Sequence, residues 1–238
     1  MVSQIKLGDI AVDVVLKDIR NVHLSVHPPT GRVRISAPSR MKMDTIRVFA
    51  ISKLAWIRQQ QKKLREQARE TVREYLDRES HHVWGRRYLL EVAENEGPPF
   101  VALKHRRMIL GVRPQTSRAA RDEILASWYR EQVKAEVLDF IAKWESLLGV
   151  RVRQVFVQQM KTRWGSCNPR TRTIRLNTEL ARKPKDCLDY IVLHEMVHLL
   201  EPKHGERFIA LMDQFMPRWQ FLRQRLNRLP IRHADWGY

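Results

Sequence analysis

Apolar and polar residues alternate through the first forty positions, most clearly over Ile10–Leu16, and predict strands. Val22–Val26 and Arg32–Ile35 flank the turn-forming run His27-Pro28-Pro29-Thr30-Gly31, which predicts a hairpin. After Pro38-Ser39 the period lengthens. Ile46, Phe49, Ala50, Leu54 and Ile57 recur at three- and four-residue spacing, the pattern of a helix, with Asp44 as its candidate cap. The continuation, Arg58–Arg73, is a mixed-charge run that reads as a solvated helix face. Val83–Ala93 and Phe100–Val112 read as two strands around the breaker Asn95-Glu96-Gly97-Pro98-Pro99. A long helix is predicted from Thr116 to Leu148. Its buried stripe comprises Ile124, Leu125, Trp128, Val133, Val137, Phe140 and Ile141, and Gly149 is placed to end it.

Beyond Gly149 the period changes again. Val150–Gln158 alternates Arg and Val like a half-buried strand, Asn168-Pro169-Arg170 is a turn, and Thr173–Asn177 is a short strand. Pro184 can open a helix over about 185–200, with Asp186 in its first turn, where negative charge suits the dipole. That helix is apolar almost all round, so it belongs in a core. A last helix covers roughly Gly205–Arg228, with a bend near Pro217. No internal repeat stands out. The expected class is α+β: a β-rich N-terminal region with one long helix over 1–112, and a helical C-terminal domain over 113–238.

Composition narrows the function. The chain has 238 residues, 44 Lys+Arg against 26 Asp+Glu, and a formal net charge of +18. Hydrophobic residues at 43%, with seven Trp, are enough for a packed core. No apolar run approaches the ~18 residues that span a bilayer. Met1 to Leu16 lacks an apolar block ending in small residues, so no secretory leader is expected and the protein reads as cytoplasmic. Two cysteines, Cys167 and Cys187, make no disulfide framework and no CxxC zinc pair. The basic balance favours polyanionic partners. Ten Lys/Arg and one acid, Glu179, lie between Arg151 and Lys185, so this stretch carries +9, half the net charge, and is the candidate contact for DNA or another polyanion.

The chemistry sits just after it. His194-Glu195-Met196-Val197-His198 places two imidazoles one turn apart on one helix face, able to hold one Zn²⁺, with Glu195 beside them to take a proton from water. Two His and a Glu in an apolar helix are costly to bury unless paired or bound to metal. The bland alternative is a pair of hydrogen-bonded core histidines. A catalytic zinc keeps three protein ligands and one open position. Pro202 and His204-Gly205 predict that the chain turns back after Leu200, which favours His204 as third ligand. Glu206 is the alternative, and Glu201 lies too near the helix to reach. Nickel, cobalt or manganese can replace zinc at such a site. Upstream, Arg163-Trp164-Gly165-Ser166-Cys167 reads as a glycine turn in which Trp164 is a core plug and Cys167 a buried thiol, or in which Arg163 faces the metal and steadies an oxyanion or phosphate. Thr173–Asn177 is a candidate edge strand to which an extended peptide can add.

At these residues the chain resembles the YgjP-like family of predicted zinc metallohydrolases, related to the SprT-like proteases. The resemblance rests on Arg163-Trp164-Gly165-Ser166-Cys167, Ile174-Arg175-Leu176-Asn177, Asp189-Tyr190-Ile191-Val192, His194-Glu195-Met196-Val197-His198-Leu199, and His204 followed by Phe208. In the N-terminal half it rests on Arg32-Val33-Arg34-Ile35-Ser36-Ala37-Pro38 and Lys53-Leu54-Ala55-Trp56-Ile57. The resemblance implies a minimal zincin-type C-terminal domain with His194, His198 and His204 as ligands and Glu195 as base. It implies a metallopeptidase, although some members have been assigned a nucleotide pyrophosphatase activity toward UTP.

Three functions follow. A zinc peptidase would act on a peptide or protein substrate. A nucleotide pyrophosphatase would hold phosphates with Arg163, Arg170, Arg172 or Arg175, although no Gly-rich phosphate loop is present. A nucleic-acid-binding module with a structural metal would need a fourth ligand, and none is obvious, whereas it would have no use for Glu195.

Overall fold

A computed structural model describes residues 2–27, 30–66, 73–160 and 163–230. They fall into two compact units, one within 1–70 and one within 71–232. The first is built on β1 (Val2–Leu7), β2 (Ile10–Lys17), β3 (His23–His27) and β4 (Arg32–Pro38), in the order β1-β2-β4-β3. The β2 and β4 strands run parallel, with Val12 opposite Val33 and Val14 opposite Ile35, so alternate residues fill one buried face. The outer pairs are antiparallel, and β3–β4 pair as the sequence predicts, although Pro28 and Pro29 lie outside the described residues.

The single helix expected next is two, α1 (Met43–Ser52) and α2 (Leu54–Glu66), which supply Ile46, Ala50 and Ile57 to the same core. They part at Lys53, whose φ of −102° and ψ of 5° leave the helical range. Asp44 is not the cap. Lys42 holds that position without a side-chain hydrogen bond, and Asp44 lies in the first turn, where its charge still suits the dipole. The rest of the expected continuation, 67–72, falls outside the described residues.

The second unit begins with β5 (Ser80–Val83), β6 (Arg86–Glu94), β7 (Phe100–Lys104) and β8 (Arg107–Val112). Two long strands were expected here. The first corresponds to β6, preceded by the unexpected β5 and a reversal at Trp84-Gly85 (φ +50° and +78°), and the second divides at His105 (φ +54°), giving two hairpins. The order β5-β6-β8-β7, with β6 and β8 parallel and the outer pairs antiparallel, repeats the topology of the first sheet. The fold thus contains a repeat that residue identities do not display.

Helix α3 (Arg118–Leu148) starts where the Ser117 side chain accepts from the Ala120 N–H and ends at Gly149, in the left-handed region at φ +65°. Its buried stripe runs Leu125, Tyr129, Val133, Val137, Ile141, Trp144 and Leu148, so Ile124, Trp128 and Phe140 are flanking positions, only partly buried. A small sheet follows: β9 (Gln154–Gln158), β10 (Gly165–Asn168) and β11 (Thr173–Asn177), ordered β10-β11-β9. The Thr173–Asn177 segment is therefore its central strand, not an edge, which accounts for its burial on both faces, and β10 is one of the two edges. A 3-10 turn (Thr178–Arg182) leads to α4 (Lys185–Val197), then α5 (Glu206–Phe215) and α6 (Trp219–Arg228). The last two replace one predicted helix and separate around Pro217.

The sheet β5–β8 shares its core with these helices: Val83, Leu90, Met108 and Leu110 join one buried cluster with Leu125, Val133, Leu180 and Leu188. Packing divides the chain near residue 70, whereas composition changes at 112, because strands of one composition pack here on helices of another. No helix among the described residues is long and apolar enough to cross a membrane.

Candidate metal centre

Helix α4 is buried on nearly all sides, and its position is fixed by polar ties at both neighbours. The Asp189 carboxylate accepts from Lys143 Nζ at 2.8 Å and from Trp144 Nε1 at 2.6 Å, which fastens α4 to α3. Arg225 of α6 donates to Asp186 at 2.6 Å. After Val197 the helix tightens: the Leu200 and Glu201 N–H groups both reach the Val197 carbonyl, and the chain turns back through Pro202. This reversal sets His204 beside the two imidazoles of α4.

His194, His198 and His204 each offer a ring nitrogen, and these atoms lie within 4.8 Å of one another. His194 Nε2 and His204 Nε2 are 3.1 Å apart. Donors bound at about 2.05 Å to one tetrahedral zinc are separated by roughly 3.3 Å, so this spacing suits a shared metal. His198 Nδ1 is 3.1 Å from the Glu201 carbonyl; that contact orients the ring and leaves Nε2 available as a ligand atom. Phe208 of α5 backs the cluster, its ring centroid 5.0, 4.8 and 4.7 Å from those of His194, His198 and His204. Burial, with the other two histidines and Arg223, holds His194 down to about 3, so its imidazole stays neutral and its lone pair free. His204 is lowered in the same sense by burial, His198 and Arg223. Of the alternatives weighed from sequence, Glu201 contributes its carbonyl and Glu206 sits exposed in the first turn of α5.

Glu195 is 5% exposed. Burial pushes its carboxyl up to about 7, against the pull of the nearby Arg163 guanidinium. Its carboxylate lies on the backbone of edge strand β10: a Cβ at Gly165 would stand 2.7 Å from Glu195 Oε1. Gly165 is thus the first residue of a strand that allows a close approach, rather than a turn glycine. Asn177 secures that strand from below. Its side chain donates to the Met160 and Arg163 carbonyls at 2.9 and 2.8 Å, and its N–H reaches the Trp164 carbonyl at 2.9 Å. Cys167 lines the site with its thiol pushed up to about 12 by burial and by the Glu195 charge, which makes it a poor nucleophile.

The three histidines, Glu195, Gly165 and Cys167 line a cavity of about 550 Å³ together with Arg163, Tyr190 and Arg223. Arg223, on α6, is a site residue that sequence reasoning missed. It falls among Arg218, Arg225 and Arg228, and only its place between the buried Leu222 and Leu226 could have aimed it inward. The basic stretch Arg151–Lys185 does not form one free surface. Arg182 and Lys183 are buried, Arg151 pairs with Glu145 at 3.1 Å, and Lys185 pairs with Glu136 at 2.6 Å.

The family model described as YgjP-like, metallopeptidase domain, matches residues 20–229. No curated protein matches the chain. Among solved structures, the metallopeptidase zymogen abylysin of Pyrococcus abyssi is similar at 21% identity and a TM-score of 0.36, covering 38% of this chain and 90% of its own. The metallopeptidase zymogen jannalysin of Methanocaldococcus jannaschii is similar at 20% identity and a TM-score of 0.33, covering 40% and 92%.

Proposed function

We propose, for a chain that belongs to the YgjP-like metallopeptidase family, a zinc-dependent peptidase whose zincin-type catalytic part lies within 113–238. His194, His198 and His204 are the metal ligands and Glu195 is the general base. The observation that carries this reading is the convergence of three imidazole donors next to a buried carboxylate. Zinc, favoured by a three-imidazole donor set, supplies Lewis acidity and lowers the pKa of water when bound. Glu195 takes a proton from the attacking water and returns it to the departing amine, a task suited to a carboxyl titrating near neutrality. Gly165 lets that carboxylate lie at the strand edge, where an extended substrate adds along β10 through main-chain hydrogen bonds. Arg163 faces the same cavity and offsets the negative charge that develops on the carbonyl oxygen. A cytoplasmic setting suits the two reduced thiols.

A second reading, a nucleotide pyrophosphatase acting on UTP, is favoured by one observation: Arg163 and Arg223 both line the cavity. One pair of proteins separates the two. Zinc-loaded wild type and Glu195→Gln are compared on a fluorogenic peptide library and for pyrophosphate release from UTP, with metal measured by plasma mass spectrometry. The peptidase reading expects stoichiometric zinc in both proteins, peptide cleavage by wild type, and a loss on the order of 10²–10⁴-fold in the variant. Chelator-sensitive pyrophosphate release with no peptide cleavage would overturn it.

A further inference from the structure

The second sheet carries a basic cavity that the metal site does not use. Because β6 and β8 run parallel, with Leu89 opposite Arg107, the β5–β6 and β7–β8 hairpin tips stand at the same end of the sheet. Arg86, Arg87, Tyr88, Leu89, His105 and Arg106 line a cavity there of about 790 Å³. Arg86, Arg87 and Arg106 are exposed. Among the described residues no carboxylate pairs with them: Arg87 donates to Ser80 Oγ at 2.9 Å, and Glu91 is taken by Arg107 at 3.1 Å. Unneutralised like charges in one concavity repel one another until an anion enters.

The turns themselves depart from ordinary turn chemistry. A two-residue hairpin favours Asn and Gly, yet one tip reads Lys104-His105-Arg106-Arg107 and holds His105 at φ +54°, where a non-glycine residue is strained. The first sheet serves as an internal control. With the same topology, its β1–β2 turn Gly8-Asp9 is flanked by Leu7 and Ile10, and the run between β3 and β4, residues 28–31, is followed by one arginine, Arg32, where the second sheet places Arg86, Arg87, Arg106 and Arg107 at its tips. The basic tips are therefore not demanded by the fold.

We propose that this cavity is a binding site for the phosphodiester backbone of a single-stranded nucleic acid. Arginine, rather than lysine, predominates, and its planar fork matches phosphate oxygens in pairs. Tyr88, Leu89 and His105 add an apolar and aromatic surface against which unpaired bases can lie. A concave site at a sheet end admits a flexible strand, whereas a duplex presents a convex rod. The site is independent of the peptidase reading and of the Arg151–Lys185 stretch, and the experiment keeps all three apart.

Fluorescence anisotropy of fluorescein-labelled dT12 with the full-length protein, over a KCl series, tests it. Wild type binds at 50 mM KCl and weakens linearly in log–log form as salt rises. Arg86→Ala/Arg106→Ala weakens binding at least tenfold and reduces the slope by about 1.4, from two lost contacts at ~0.7 each. Arg86→Lys/Arg106→Lys keeps most of the slope. Arg151→Ala/Arg153→Ala keeps both affinity and slope. Thermal unfolding unchanged in the alanine pair shows that the fold stands. The proposal is overturned if wild type fails to bind, if the alanine pair binds as wild type does, or if the Arg151/Arg153 pair accounts for the loss. It is equally overturned if polyglutamate displaces dT12 at matched charge, which would mark an acidic-protein site, or if tripolyphosphate does, which would mark a simple phosphate site.

Discussion

At the scale of single residues, Gly165 shows how one missing side chain makes room for a buried carboxylate. A methyl group there would have to displace the Glu195 carboxylate, since the added carbon would stand 2.7 Å from Oε1 and 2.8 Å from Glu195 Cγ. Gly165→Ala is expected to keep its zinc and its thermal midpoint while losing on the order of 10²-fold in kcat, the usual result of misplacing a reacting group by about 1 Å. Parallel zinc and rate measurements check this; full activity in the alanine variant would show that Glu195 does not depend on the close approach. Cys187 gives a second test, on stability. Burial, with Asp186, pushes its thiol from an ordinary 9.0 up to about 12, against the opposing charges of Arg225 and Lys183. Between those values the unfolded chain releases a proton that the folded chain keeps. Folding stability therefore falls as pH rises from about 9 toward 12. The thermal midpoint of Cys187→Ala, followed from pH 8 to 10.5, is expected to fall less steeply than that of wild type; parallel curves would remove Cys187 from the cause.

At the scale of elements, α4 depends on its neighbours because it has almost no solvent face of its own. Asp189→Ala leaves the Trp144 indole N–H, in a residue 3% exposed, without its acceptor, and removes the partner of Lys143. The expected loss is about 1–3 kcal/mol of stability, read by urea unfolding, with wild-type zinc content in the native protein. Much of this architecture is legible in the sequence. The four-residue spacing along α3 and the all-round apolarity of α4 announce buried helices, and the i, i+4 histidines announce one shared face. What is not legible has physical reasons. A left-handed turn at His105, with no glycine to announce it, makes Phe100–Val112 read as one strand where there are two, and the short β5 before the Trp84-Gly85 turn carries too little alternation to stand out. Alternation does not distinguish a central strand such as β11 from an edge such as β10, because that depends on pairing partners elsewhere. Arg223 reaches the cavity only because α6 packs through Leu222 and Leu226, and an arginine among arginines carries no signal of direction.

At the scale of the whole molecule, two separate buried clusters imply that the part carrying the three histidines can stand without the first sheet, but not without the second. Residues 71–112 are compositionally part of the β-rich half, yet they complete the core under α3 and α4. Tyr75, Val83, Leu90, Met108, Leu110 and Val112 belong to the same cluster as Leu125 and Leu188. The Trp84 N–H donates to the Ala181 carbonyl at 2.7 Å, and the Tyr129 hydroxyl to the His82 carbonyl at 3.1 Å. Gly85 meets Pro184, at the start of α4, so closely that a Cβ would stand 2.8 Å from the proline ring. Removing this sheet uncovers α3 and the segment that leads into α4, and each large apolar side chain so exposed costs about 1.5–3 kcal/mol. A loss on the scale of six such contacts, about 9–18 kcal/mol, is as large as a typical domain stability of about 5–15 kcal/mol. A fragment of residues 71–238 is therefore expected to unfold cooperatively and to retain one zinc through dialysis, whereas residues 113–238 are expected to bind a hydrophobic dye, melt without a transition and retain none. If the shorter fragment folds and holds its metal, the boundary at 112 is the functional one, and the second sheet is an accessory to the catalytic part rather than half of its core.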